Sequence, residues 1–388
     1  MNYKKTVLLL GLVGSLILSG CASSGKDTQA PKEEKSPYVV GALTAQTGAA
    51  SWLGDSELKA VNLLADQVNA GGGINGHPIK VIPFDTTSNP ELAVTGMGKI
   101  LTEDAIAVIG PTLVGESKAV APLVKDNGPL VYSLSGGYRP QNRWMFGTSC
   151  QTKVMQKAIL EYFKSKGITK VALLANTDST GQEAVNGLNE LVKEDPSIKL
   201  LITERVNPTD VDVSLQLNNI KSKQPQALIT WMTGKLVGVV IKNFYQSGMN
   251  IPIVVSHGNA SYAFLDSIKG LEPKVLLMPS TKDFAWKDIP EGDLQKKPNE
   301  KLHTDYKNKY GKEADYGAAM AYDAMSFVIK GLQEVGPDKE KLRTYIEQQN
   351  NLVGTQAIYN FSPEDHRGTA LKDAIVIQIS NGEFRMAK

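Results

Sequence analysis

From Tyr38 onward, short apolar runs alternate with longer amphipathic stretches, and the alternation starts twice. In the first series Tyr38–Leu43, Ile79–Phe84, Ala105–Ile109 and Leu130–Leu134 read as strands. Between them Leu58, Val61, Leu64 and Val68 recur at helical spacing, as do Leu92, Met97, Ile100 and Leu101, then Ala119, Val120, Leu123 and Val124. Gly71-Gly72-Gly73 stops the first of these helices, and Asn89-Pro90-Glu91 starts the second with a cap and a first-turn proline. The rhythm restarts after Cys150. Strands are expected at Lys170–Ala175, Leu200–Val206, Ala227–Trp231 and Ile251–Val255, with helices around Ile159 to Phe163, Val185 to Val192, Leu217 to Ile220 and Val237 to Phe244. Runs that are apolar at nearly every position have no solvent face, so they belong to parallel sheets covered by helices on both sides. Two series in 388 residues predict an α/β chain of two doubly wound, parallel-sheet lobes. The last third is less regular, with helices around His303–Tyr310 and Ala318–Val335 and a hairpin turning at Asn381-Gly382 between Ile375–Ile379 and Phe384–Met386.

The first twenty residues read as an address. Lys4 and Lys5 precede an apolar run from Val7 to Leu18, and small residues follow. That is the pattern of a secretory signal peptide, and the run is shorter than the roughly 17–25 residues a membrane span needs. Leu18-Ser19-Gly20-Cys21 resembles a bacterial lipobox, which implies cleavage before Cys21, a lipid on its thiol and attachment to the bacterial cell membrane outside the cytoplasm. That place is the periplasm or the outer face of a monoderm membrane. Residues 21–37 then serve as a lipidated end and flexible tether, with Pro31, Lys32, Glu33, Glu34, Lys35 and Pro37 in its second half. The other cysteine, Cys150, stands alone and reads as a small buried hydrophobe.

Removing Lys4 and Lys5 from 42 basic residues leaves 40, against 40 acidic ones. A balanced charge offers no field for nucleic acid or an anionic membrane surface. No nucleophile elbow, phosphate-binding loop or paired His/Cys ligand spacing is present, so no catalytic residue, cofactor or metal is expected. His77 reads as part of a surface turn, His303 as a residue of a charged helix and His366 as a loop residue, none with metal-ligand spacing, and Trp144 and Trp286 read as structural.

In open α/β sheets, ligands bind beyond the carboxyl ends of the strands. The loops that qualify are Thr44–Gly54, Gly110–Glu116 and Ser133–Tyr138 in the first lobe, and Asn176–Gly181, Trp231–Gly234 and Ser256–Asn259 in the second. They are rich in Gly, Ser and Thr, which let main-chain N–H groups approach a small anion and add hydroxyl donors. Facing loops make a cleft that hinge motion can close. Trp52, Tyr138 and Trp231 are expected to supply apolar walls, and Thr233 a hydroxyl. His257, in a Ser-His-Gly turn, is expected to face the ligand and, partly protonated, to favour an anion.

Four segments carry a resemblance. Asn69-Ala70-Gly71-Gly72-Gly73-Ile74-Asn75-Gly76-His77-Pro78-Ile79, Val108-Ile109-Gly110-Pro111 with Ala121-Pro122, Gly317-Ala318-Ala319-Met320-Ala321-Tyr322-Asp323-Ala324, and Asp365-His366-Arg367-Gly368 occur in order. The chain thereby resembles the extracytoplasmic solute-binding lipoproteins of the branched-chain (Leu/Ile/Val-type) amino acid ABC importer family. The resemblance implies a type I periplasmic-binding-protein fold with three hinge crossovers, placed near Ser149, Pro279 and Gly354. Lobe 1 is then 38–149 plus 279–353, and lobe 2 is 150–278 plus 354–388. It also implies a small-molecule solute, a membrane permease and a cytoplasmic ATPase as partners. A ligand-sensing receptor feeding a signalling system is the alternative on the same fold.

The resemblance also assigns positions, and several depart from the family pattern. The carboxylate-holding stretch falls on Ser133-Leu134-Ser135-Gly136-Gly137, which keeps main-chain donors but lacks the threonine. The small polar position beside it falls on Val114, followed by Gly115. The acids that grip an α-ammonium fall on Thr152 and His257, and the family's aromatic falls on Thr180. Asp178 is the acid left to replace them. A buried ammonium without a counter-charge costs several kcal/mol. The expected ligand is therefore a small carboxylate with an apolar or aromatic body, with a branched-chain or hydrophobic amino acid as the alternative.

Overall fold

The structure is a computed structural model that describes residues 35–380 and 382–388. The signal sequence, Cys21, the tether up to Glu34 and the turn residue Asn381 lie outside the described residues.

The first sheet is built from β1 (Tyr38–Thr44), β2 (Ile79–Asp85), β3 (Ala107–Ile109), β4 (Leu130–Ser133) and β5 (Met145–Gly147). All are parallel, in the order β2-β1-β3-β4-β5. Val40, Val108, Ile109 and Val131 are fully buried, and a side chain of that size contributes about 1.5–3 kcal/mol on leaving water. The covering helices are α1 (Ser51–Ala70), α2 (Pro90–Leu101) and α3 (Val114–Val120). Helix α2 starts as the sequence predicts, with the Asn89 side chain accepting from the N–H groups of Glu91 and Leu92. Gly110 leaves β3 with φ 109°, and a Cβ there would run into the Leu43 carbonyl, so glycine is required. Strand β5 escapes sequence reading because three residues carry no period.

The second sheet takes β6 (Lys170–Asn176), β7 (Lys199–Val206), β8 (Ala227–Trp231), β9 (Ile253–Val254) and β10 (Leu276–Ser280) as parallel strands. Around them lie α4 (Thr152–Ser165), α5 (Ser179–Glu194), α6 (Ser214–Ser222), α7 (Lys235–Gln246) and α8 (Tyr262–Ser267). The chain then adds α9 (Lys296–Tyr310), α10 (Tyr316–Val335) and α11 (Lys339–Glu347). Helix α10 packs against both α1 and α11. A small hairpin of β11 (Leu352–Val353) and β12 (Ile358–Tyr359) follows. The chain ends in β13 (Ile375–Ser380) and β14 (Glu383–Met386), both antiparallel, which complete the order β14-β13-β10-β9-β8-β6-β7.

Strand β10 carries Pro279, which pairs with Val376 inside the sheet, so the chain leaves the sheet after Ser280, beside the crossover expected near Pro279. Gly354 lies in the β11–β12 hairpin, and Tyr359 of that hairpin reaches back to the Thr148 carbonyl (2.7 Å) and to Asp323 of α10 (2.9 Å). The chain rejoins the second sheet at Ile375. His303 and His366 are both buried, stacked on Trp286 and Phe146 respectively. Among the described residues no helix is long and apolar enough to cross a membrane.

Candidate functional site

The carboxyl ends of the two sheets face one another across a cavity of about 50 Å³. It opens, past Leu113, Thr180 and Thr233, into a wider mouth of about 380 Å³. The first lobe supplies Thr112, Val114, Ser135, Gly136 and Gly137 to the inner cavity. The second supplies Thr152, Thr180, Trp231, Thr233 and His257, and the first turns of α10 add Tyr316 and Met320. No Asp, Glu, Lys or Arg is among these lining residues.

The loop after β4 presents the main chain. The N–H groups of Gly136 and Gly137 find no acceptor among the described residues, while the Gly136 carbonyl accepts from Thr152 N (3.1 Å). Both glycines are imposed by close approach. A Cβ on Gly136 would lie 2.7 Å from the Cys150 carbonyl, and one on Gly137 would lie 2.7 Å from a Val114 methyl. Thr112 is held in place from behind: its hydroxyl accepts from Ala45 N (3.0 Å) and donates to buried Glu57 (2.5 Å). Burial raises the Glu57 carboxyl well above the usual carboxylate range.

His257 corrects an expectation. Its ring stands edge-on to Trp231 and Tyr316, at 5.5 and 5.3 Å between centroids, and its Nδ1 is buried without a partner. Burial, with the charge of Arg367 as a second cause, pushes its pKa down to about 3. The imidazole is neutral at physiological pH, so it offers a polar edge and no cation.

Asp178 does not reach the inner cavity. It caps α5, accepting from Thr180 N (2.9 Å) and Gly181 N (3.0 Å), while its other oxygen takes the Asn176 amide (2.7 Å). It lines the mouth, as Gly115 does. Three further expected residues stand outside both spaces. Ser133 is buried beneath the loop, sharing a hydrogen bond with Ser117 (2.8 Å). Tyr138 turns away toward the Met145 sulfur (3.5 Å). Trp52 donates from Nε1 to the Gly258 carbonyl (3.3 Å), tying α1 to the His257 turn, and borders a separate groove.

Sequence reading missed Thr112, Tyr316 and Met320. Thr112 sits in a loop already singled out, but α10 reaches the cavity from nearly 200 residues away, and only tertiary packing brings it there. The Tyr316 hydroxyl meets Ser149 Oγ (2.7 Å) at the first crossover.

Two facing strand-edge loops around one uncharged cavity are the arrangement of a receptor that encloses a small molecule. The sequence model described as "Periplasmic binding protein" matches residues 37–383. The chain belongs to the periplasmic binding protein family. Its fold is that of the type I periplasmic binding proteins. It is 22% identical over 305 residues to the leucine-, isoleucine-, valine-, threonine-, and alanine-binding protein of Pseudomonas aeruginosa, covering 76% of this chain and 78% of that one. An extracellular ligand-binding receptor from Rhodopseudomonas palustris superposes with a TM-score of 0.83 at 24% identity, over 92% of this chain and 100% of that one. LivJ from Streptococcus pneumoniae, a branched-chain amino acid transporter substrate binding protein solved with isoleucine, gives 0.76 at 21% identity, over 91% and 99%. The family is one of periplasmic binding proteins, so solute binding outside the cytoplasm is its shared activity.

Proposed function

We propose that this binding protein is the lipid-anchored receptor of an ABC importer and that its solute is a small carboxylate with an apolar or aromatic body. One observation carries the ligand class: the unbonded N–H groups of Gly136 and Gly137 adjoin a cavity with no acid among its lining residues. An α-ammonium enclosed there would lose its hydration without gaining a counter-charge, at a cost of several kcal/mol. A carboxylate instead meets two main-chain donors and the hydroxyls of Thr152, Thr180 and Thr233. Charge-assisted hydrogen bonds contribute about 1.5–3 kcal/mol each. Three or four of them, with Trp231 and Tyr316 against the apolar body, reach the ~8 kcal/mol of micromolar binding. The chain passages around Ser149, beyond Ser280 and before Ile375 are the hinges on which the lobes close. The lipid is carried by Cys21, and the loaded protein docks on a permease whose ATPase lies in the cytoplasm.

The second reading, a leucine-like amino acid, is favoured by the relatives, which bind leucine, isoleucine and valine. A thermal-shift comparison of leucine with 4-methylpentanoate separates the two, since the pair differs only in the ammonium group; benzoate extends the test to aromatic bodies. At 100 times its Kd a ligand adds about 2.7 kcal/mol to stability. Stabilisation by 4-methylpentanoate or benzoate is the expected result. Stabilisation by leucine alone overturns the carboxylate assignment.

A further inference from the structure

The loop that adjoins the cavity is held from behind by a cation. Arg367, in the segment between β12 and β13, is 1% exposed. Its guanidinium donates to the carbonyls of Ser135 (2.6 Å), Tyr138 and Ser149 (2.5 Å). No carboxylate lies within ion-pair distance of it among the described residues, Asp365 and Glu183 acting on it only from farther off, and its Nε has no acceptor. Burial lowers its pKa to about 10, which leaves it charged at neutral pH. A desolvated guanidinium normally has an anionic partner, because main-chain dipoles replace its lost hydration only in part. Here the two residues between the clamped carbonyls, Gly136 and Gly137, keep unbonded N–H groups and line the cavity.

We propose that Arg367 is a specificity-determining residue: from behind the Gly136–Gly137 loop it is the counter-charge of an anionic solute that it never touches, and it positions the amides that do. The same side chain grips Ser149, so the anion loop and the first crossover share one anchor. This assignment rests on the carboxylate reading given above. It explains how a loop that lacks the expected threonine and a cavity lined by no charged residue would select an anion.

The test uses the full chain, with Arg367→Met and Arg367→Lys, and the probe pairs benzoate and benzamide, 4-methylpentanoate and 4-methylpentanamide. Arg367→Met loses both the charge and every carbonyl bond, so it is expected to weaken acids and amides alike through the loop and to weaken the acids by about tenfold or more beyond the amides. Arg367→Lys keeps the charge but makes fewer carbonyl bonds, so it retains the acid-over-amide preference while weakening both. A ligand-free readout accompanies these. His257 is packed by Trp231, Tyr316 and the Gly136 loop, and Arg367 is the one charge that acts on it strongly, so its NMR titration should rise in Arg367→Met. Equal weakening of acid and amide, or an unmoved His257 titration, overturns the proposal. If neither acid binds the native chain, the ligand reading fails; the His257 titration then still decides whether the Arg367 charge reaches the cavity.

Discussion

His257 Nε2 stands where a side chain on Gly136 would begin: a Cβ built on Gly136 falls 2.8 Å from that nitrogen. The glycine belongs to the first lobe and the imidazole to the second. Their approach brings the anion loop under the neutral edge of the ring and sets the floor of the cavity.

Gly136→Ala is therefore expected to destabilise the protein by about 1–3 kcal/mol, because both the His257 ring and the Cys150 carbonyl must move. It should also abolish most solute-induced stabilisation. Urea unfolding with and without 4-methylpentanoate measures both. Gly98→Ala in α2 is the control, since its Cβ would meet nothing within 4 Å, and it should be stabilising by up to about 1 kcal/mol.

The buried imidazole gives the stability a definite pH dependence. His257 titrates near 6.5 when unfolded and near 3 when folded, so between these values the unfolded chain binds more protons. Its contribution is intact above pH 6.5 and is lost as the pH falls toward 3. Asp323 and Asp283 oppose it: burial raises them to about 6 and about 7, so their folded forms take up protons first on acidification. The clean measurement is a difference. Relative to His257→Gln, the native chain should lose several kcal/mol between pH 7 and pH 4 in calorimetric unfolding. Parallel curves for the two proteins would mean that the ring is solvated in the fold.

Trp52 makes a single inter-lobe hydrogen bond through its indole N–H to Gly258. Trp52→Phe keeps most of the ring and removes the donor, so global stability should change by about 1 kcal/mol or less. Solute dissociation should speed up by a few-fold, and the radius of gyration of the unliganded protein should rise. Stopped-flow release and small-angle scattering read the two effects, and an unchanged dissociation rate would remove Trp52 from the closure.

Cys21→Ser should move the protein from the membrane fraction to the soluble extracytoplasmic fraction without altering solute affinity in the soluble part. Fractionation followed by blotting checks this, and continued membrane association of the variant would rule out the lipid anchor.

Legibility followed range. The Asn89-Pro90 helix start, the Gly71–Gly73 stop and the main parallel strands were readable because each is set by neighbours a few residues apart. Strands β5 and β10 were not. The first is only three residues long, and the second carries a proline at its end that reads as a break until β13 pairs with it. Within the site, the loops were found by their place at strand ends, but the tasks of individual residues were not. Asp178 looked like a spare acid and is a helix cap; Tyr138 looked like a wall and offers its carbonyl to Arg367.

By itself, the order of residues determined a two-lobed α/β chain with glycine- and serine-rich strand-end loops, since apolar periodicity and turn chemistry are local properties. The tertiary structure decided the charge of the site. Whether His257 is protonated, whether Asp178 is free and what stands behind Gly136 all depend on which distant groups exclude water there. Desolvation is set by enclosure in three dimensions, and no spacing along the chain encodes it.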